Sequence, residues 1–221
     1  QLPVGPTEYR GGRGRGVFAG GIYGGARTAL MNYIEIATAG NSVGFGNLTQ
    51  TASQGAALGS SVRGIAGGGR PSSPGGTTNI DYFIFSSKGG ASNFGDFSEA
   101  GFEKGGASNN TRGLFFGSSV APSPKNYIDY VTIATTGDAS DFGDMTDAKG
   151  QPATCGSPTR ALICGGNNID APSTYGHPRW TAVGYVTTVS YTHLRAHETR
   201  EERVCRVVGG KKKGGGGGGG G

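Results

Sequence analysis

The sequence predicts an all-β fold made of repeated blades, each of four short antiparallel strands, and three observations predict it. First, Arg15-Gly-Val-Phe-Ala-Gly-Gly21 returns as Arg63-Gly-Ile-Ala-Gly-Gly-Gly69, Arg112-Gly-Leu-Phe-Phe-Gly-Ser118 and Arg160-Ala-Leu-Ile-Cys-Gly-Gly166. The arginines step by 48, 49 and 48 positions. Second, two further blocks keep this register. Met31-Asn-Tyr-Ile-Glu-Ile-Ala-Thr38 aligns with Ile80-Asp-Tyr-Phe-Ile-Phe-Ser-Ser87 and Ile128-Asp-Tyr-Val-Thr-Ile-Ala-Thr135. Gly44-Phe-Gly-Asn-Leu-Thr49 aligns with Asn93-Phe-Gly-Asp-Phe-Ser98 and Asp141-Phe-Gly-Asp-Met-Thr146. Third, no segment sustains a helical period of apolar residues.

Each repeat reads as four strands. The Arg-Gly block is a β segment whose closing glycines permit positive φ and a tight turn. The Ile-Asp-Tyr block is rich in β-branched and aromatic residues and is the strongest strand. Ile128 and Tyr130 lie on one side of it, Val131 and Ile133 on the other, so it is apolar on both faces. Such a strand is buried on both faces, as in a blade between two neighbours. The Phe-Gly-Asp block gives a third strand after a polar turn such as Thr136–Asp141. The stretch before the next arginine, Ala153–Ser157 for example, is expected to close the same repeat as its fourth strand.

These boundaries give a linker or remnant of a preceding blade at 1–14, then repeats at 15–62, 63–111 and 112–159. A fourth repeat, 160–188, is irregular from Ala171 to Trp180, and Tyr185-Val-Thr187 then resembles Tyr130-Val-Thr132. The absence of an initiator Met and the shortened fourth repeat read as truncation at both ends. Three full repeats do not close a propeller, which needs about four to eight blades. The expectation is a chain that is poorly stable or self-associates.

The stretch 189–221 resembles nothing upstream. Back-translated, Val189–Thr199 is similar to the read-through adapter of transposase-based sequencing libraries, and the following lysines and glycines to homopolymer calls. It is expected to be an adapter-derived, disordered artefact and is set apart from fold reasoning. The biological alternative is a basic amphipathic tail with a flexible glycine anchor, which would suggest nucleic-acid or membrane contact. With seven Lys and Arg against three Glu, this stretch carries +4 of the formal +5 charge. The rest is nearly neutral, so the basic balance argues for no nucleic-acid partner. His193 and His197, spaced like helical metal ligands, and Cys205 belong to the same stretch. No apolar run before it is long enough to span a bilayer as a helix.

Candidate functional residues each have a bland alternative. Asp141-Phe-Gly143 matches a kinase metal-binding triplet in letters, without the accompanying motifs; Phe in the core with a Gly-Asp turn explains it better. Asp138, Asp141 and Asp144 at spacing three could hold a hard cation. The aligned copies carry Asn41, Gly44 and Asn47, and Gly90, Asn93 and Asp96, so Asx-type turns are the preferred reading. Arg15, Arg63, Arg112 and Arg160 would anchor a carboxylate, phosphate or sugar, or pair with a repeated acid such as Asp81 or Asp129 to fix blade contacts. Tyr33, Tyr82 and Tyr130 would stack sugars or pack in the core; Phe45, Phe94 and Phe142 are core positions. Cys155 and Cys164 read as small hydrophobes, with a disulfide or reactive thiol as the alternative. His177 has no partner in view. No nucleophile–base pair, zinc spacing or cofactor motif can be assembled, so no metal, cofactor or enzymatic activity is expected.

The segment Thr111-Arg-Gly-Leu-Phe-Phe-Gly117, with Asn126–Thr146, resembles kelch-like propeller repeats, whose period is about 50 residues. More narrowly, Arg15 to Asp170 is similar to repeats of virion structural proteins from tailed phages of marine bacteria. It departs from eukaryotic kelch repeats in lacking their usual Trp, whose place Phe45, Phe94 and Phe142 take. The resemblance implies a non-catalytic tail or fibre component located in the virion, contacting other virion subunits or host surface glycans, with no membrane insertion. The alternatives are a galactose-oxidase-like enzyme domain, which needs Tyr, His and Cys copper ligands, and a carbohydrate-binding kelch propeller.

Overall fold

The computed structural model describes residues 14–71, 75–119, 124–167 and 183–188. Residues 1–13 of the 1–14 segment expected as a linker or remnant, the irregular 171–180 segment with His177, and the 189–221 stretch lie outside the described residues. The fold is all-β, in small antiparallel sheets with no closed barrel.

Blade 1 contains β1 (Arg15–Ala19), β4 (Leu30–Glu35) and β5 (Val43–Asn47), with a small hairpin of β2 (Ile22–Tyr23) and β3 (Ala26–Arg27) between the first two. Blade 2 is a four-stranded meander of β6 (Ala56–Gly59), β7 (Arg63–Gly67), β8 (Thr77–Ile84) and β9 (Ser92–Gly101). Blade 3 repeats it with β10 (Gly105–Ser108), β11 (Arg112–Ser118), β12 (Lys125–Thr132) and β13 (Ser140–Asp144). Blade 4 shows β14 (Ala153–Gly156), β15 (Arg160–Cys164) and β16 (Val183–Thr187).

The sheets are cut one strand earlier than the arginine-to-arginine repeat. The strand expected to close one repeat instead opens the next sheet: β6 pairs with β7, β10 with β11 and β14 with β15. The cause is local. Ser60 Oγ accepts hydrogen bonds from the N–H groups of Val62 and Arg63, and Asn109 Oδ1 from those of Thr111 and Arg112. Ser157 Oγ does the same for Thr159 and Arg160. Each side chain closes a tight turn directly before the arginine, so the preceding strand folds back onto the arginine strand and leaves the sheet behind it.

The core lies between blades. Ile65, Ile80, Phe94 and Phe97 of blade 2 pack against Phe115, Val131 and Ile133 of blade 3. Leu114, Phe116, Ile128 and Met145 on the other face of blade 3 pack against Ala161 and Ile163 of blade 4. Met31, Tyr33 and Phe45 of blade 1 meet Phe83 of blade 2. Burial on both faces of the Ile-Asp-Tyr strand follows: Ile128 and Val131 are 1% and 2% exposed. Outer faces differ. Phe18 is 59% exposed where Phe115, at the same repeat position, is 0%. Cys155 is likewise exposed where Ala107 is buried; Cys155 and Cys164 are both free thiols.

A bulge recurs at one point in each of blades 1 to 3. Met31 and Asn32 pair with Gly46 and Gly44, Ile80 and Asp81 with Gly95 and Asn93, and Ile128 and Asp129 with Gly143 and Asp141. The extra residue is Phe45, Phe94 or Phe142. Bulges turn a strand and re-aim a side chain; here they send the ring towards the tyrosine of the neighbouring strand. The glycine after it lets the next blade approach. A Cβ on Gly46 would overlap the carbonyl of Gly89, and one on Gly95 that of Gly137. Backbone bonds cross at these contacts: Gly89 N to Phe45 O at 2.9 Å and Gly137 N to Phe94 O at 2.7 Å.

Candidate functional site

The residues singled out by the repeat converge in one cluster per blade. Tyrosine sits on the central strand, phenylalanine on the bulge beside it, and arginine at the start of the strand on its other side. Tyr33 and Phe45 meet edge to face at 6.0 Å, Tyr82 and Phe94 at 6.1 Å, and Tyr130 and Phe142 at 6.1 Å. Above each tyrosine lies an arginine: Arg15 5.0 Å from the Tyr33 centroid, Arg63 4.4 Å from Tyr82 and Arg112 4.7 Å from Tyr130. Arg160 stands 5.2 Å above Tyr185. This is cation–π geometry.

The arginines do not pair with Asp81 or Asp129. Arg15 Nε donates to Glu35 across the sheet at 2.8 Å, while Nη1 donates to the carbonyl of Phe85 in the next blade at 2.7 Å. Arg63 Nη1 reaches Ile133 O at 3.0 Å and Ala134 O at 3.2 Å, again one blade on. The reason is reach: the tyrosine beside each arginine leads its fork towards the end of the neighbouring central strand, and the aspartates sit further along. A guanidinium thus stacks on each tyrosine ring and a phenylalanine meets it edge to face; Tyr33 is buried, Tyr82 and Tyr130 are half-buried.

The aspartates have separate work. Asp81, 2% exposed, accepts from Thr49 N and Thr49 Oγ1 of blade 1 at 2.8 and 2.7 Å, and from Asn79 Nδ2 at 3.0 Å. Asp129, 3% exposed, instead faces Lys104 Nζ at 3.7 Å, and its Oδ2 has no hydrogen-bond partner. The Lys104 ammonium lies 4.4 Å from the Phe97 ring centroid and 4.3 Å from that of Tyr127, and donates to Tyr127 Oη at 2.9 Å. Burial lowers Lys104 to about 8 against the pull of Asp129, raises Asp129 above the usual carboxylate range, and pushes Tyr127 up to about 12. All three shifts favour the neutral forms, as desolvation dictates.

The first strands β6, β10 and β14 line a shallow groove of about 370 Å³ built from Gly59, Gly106, Ala107, Ser108 and Gly156. Hydroxyls tie these strands across blades: Ser108 Oγ donates to Gly59 O, and Thr154 Oγ1 to Gly106 O, both at 2.7 Å. At one end of them lies a row from consecutive repeats. Gln54, Glu103 and Gln151 have φ of 60°, 59° and 54°, a conformation non-glycine residues rarely adopt. Glu103 N donates to Gln54 O and Gln151 N to Glu103 O, while both glutamine amides donate to Glu103 Oε1. Ser119 Oγ binds its Oε2 at 2.6 Å.

Of the acidic trio, Asp141 Oδ1 accepts from Gly143 N in an Asx turn, and Asp138 Oδ1 from Asp96 N across the blade contact. The sequence reading missed Lys104 and the Gln54–Glu103–Gln151 row. The row was legible in its spacing of 49 and 48; Lys104 occurs in one copy only, opposite Gly55 and Pro152. No protein-family model and no curated protein matches this chain. What fold and site define is a class: an all-β stack of antiparallel blades tied by repeated Arg–Tyr–Phe clusters.

Proposed function

We propose that the chain is a non-catalytic propeller-type repeat scaffold, a tail or fibre component of a phage virion whose surface contacts other virion subunits or host glycans. The observation that supports a scaffold most directly is the use of the repeated arginine. In blades 1 and 2 it stacks on its own tyrosine and hydrogen-bonds the next blade's backbone. In these two blades a residue type well suited to bind a ligand is thus committed to joining blades. The virion assignment rests on the sequence resemblance alone.

The test is mass spectrometry of density-banded particles of the phage encoding the repeat. Peptides from 15–167 in the banded particles, at a stoichiometry of several copies per particle, are the expected result. Their restriction to the soluble lysate would overturn the virion assignment while leaving the scaffold reading to stability measurements. Sugar stacking on the tyrosines is disfavoured, because an arginine already stacks on each of the three rings.

A further inference from the structure

The contact between blades 1 and 2 contains a cavity of about 50 Å³ lined by Leu48, Gln50, Gly55, Ala66, Asn79 and Asp81, among others. Counted along the repeat, these positions correspond to residues that fill the next contact. Gly55 stands where Lys104 stands between blades 2 and 3, Ala66 for Phe115, Leu48 for Phe97 and Asn79 for Tyr127. All four are smaller, and Asp81 for Asp129 is unchanged. The cavity is therefore the space that the Lys104 side chain and its aromatic neighbours occupy one blade further on.

We propose that this cavity is a binding site for a small protonated primary amine, whose ammonium takes the place held by Lys104 Nζ at the following contact. Three observations carry it. Asp81 is 2% exposed, and no Lys or Arg nitrogen of the described residues pairs with it, whereas Asp129 has Lys104 at 3.7 Å. Buried carboxylates are ordinarily compensated by a cation. Its three hydrogen bonds, from Thr49 and Asn79, leave acceptor capacity on a carboxylate with about four lone-pair sites. Gly55 and Ala57 are exposed, which puts the mouth at the start of β6. A water needs about 10–15 Å³ of such volume, so the cavity holds about three to five water-sized groups. That admits methylammonium or ethylammonium with room to spare, whereas tetramethylammonium would need the whole of it and has no N–H to donate to Asp81.

The experiment uses the full chain and methylammonium chloride, with sodium chloride at equal ionic strength and tetramethylammonium chloride as controls. At ten times its dissociation constant, methylammonium should raise the unfolding midpoint by about 3–6 °C more than either control. Gly55→Lys should abolish this difference by supplying its own ammonium; its Cβ must be accommodated 3.3 Å from the carbonyl oxygens of Gly67 and Gly68. Lys104→Gly should show the reverse, with a second amine response at the next contact. A midpoint that responds equally to all three salts, or a methylammonium response that survives Gly55→Lys, overturns the proposal. If Gly55→Lys does not fold, amide chemical shifts of the wild type decide. Saturable changes confined to Gly55, Ala57, Asn79 and Asp81 support the site, and scattered or absent changes refute it.

Discussion

Two consecutive blade contacts use the same backbone frame and fill it differently. Between blades 1 and 2 the aspartate is held by neutral donors, Thr49 and Asn79, beside a cavity. Between blades 2 and 3 it faces a buried ammonium caged by Phe97 and Tyr127. The elements common to both are the bulge, the glycine behind it, the arginine clamp and the crossing backbone bonds. These fix how blades stack, while the filling around the aspartate is free to vary. The difference separates what the repeat requires from what each contact has been given.

The comparison breaks most sharply at Lys104. Lys104→Met leaves the buried Asp129 carboxyl and the Tyr127 hydroxyl without the amino group that faces both, charged or neutral, at a cost of about 3–5 kcal/mol. Adding Asp129→Leu should recover the loss, because an apolar pair escapes the desolvation penalty of the ion pair. Urea unfolding of the two variants checks this, and a double variant no better than the single one would contradict it. Next comes Gly95→Ala, whose Cβ would overlap the Gly137 carbonyl at φ +153°. Overpacking and backbone strain together predict a loss of about 3 kcal/mol. Gly143→Ala is the internal control: at φ +134° with nothing within 4 Å of a Cβ, it should lose about 1–2 kcal/mol of strain energy only. Equal losses at the two glycines would mean that the close blade approach contributes nothing.

Arg63→Ala should cost about 1–3 kcal/mol by removing the cation–π contact and the bonds to Ile133 and Ala134. Arg63→Lys should restore less than half of it, since an ammonium cannot stack and fork together. Thermal denaturation of both against wild type reads the split. A last test is with pH. Lys104 titrates near 8 when folded and 10.5 when free, so from about pH 8 to 10 the unfolded chain binds more protons and stability should rise with pH. Tyr127, raised from 10 to about 12, reverses the sign above pH 10, where the folded state keeps the proton longer. The rise should vanish in Lys104→Met. A wild-type profile parallel to that of the variant between pH 8 and 10 would remove Lys104 as its cause.

Much of this was legible in the sequence. The period, the strand identities and the Arg, Tyr and Phe positions are visible because the same physics is solved once per blade. The phase was not: a period is unchanged by where the unit is cut, and only the turn chemistry of Ser60, Asn109 and Ser157 decides which strand joins which sheet. The arginine's partner was missed because charge suggested Asp81 and Asp129, while the geometry favoured the tyrosine ring and a carbonyl one blade away. Lys104 was missed for the opposite reason, since a search for what recurs passes over what occurs once.

The one-strand offset between repeat and sheet has a genetic consequence. Loss or gain of one whole period by recombination, wherever the break falls, rejoins strands of matching type, so the number of blades can drift without a misfolded intermediate. Lys104, directly before β10, and Asp129, on β12, by contrast belong to one blade but lie on opposite sides of the Arg112 boundary. A crossover between them would separate the ammonium from its carboxylate. Exchange within this gene is therefore permissive for architecture and selective for the chemistry between blades.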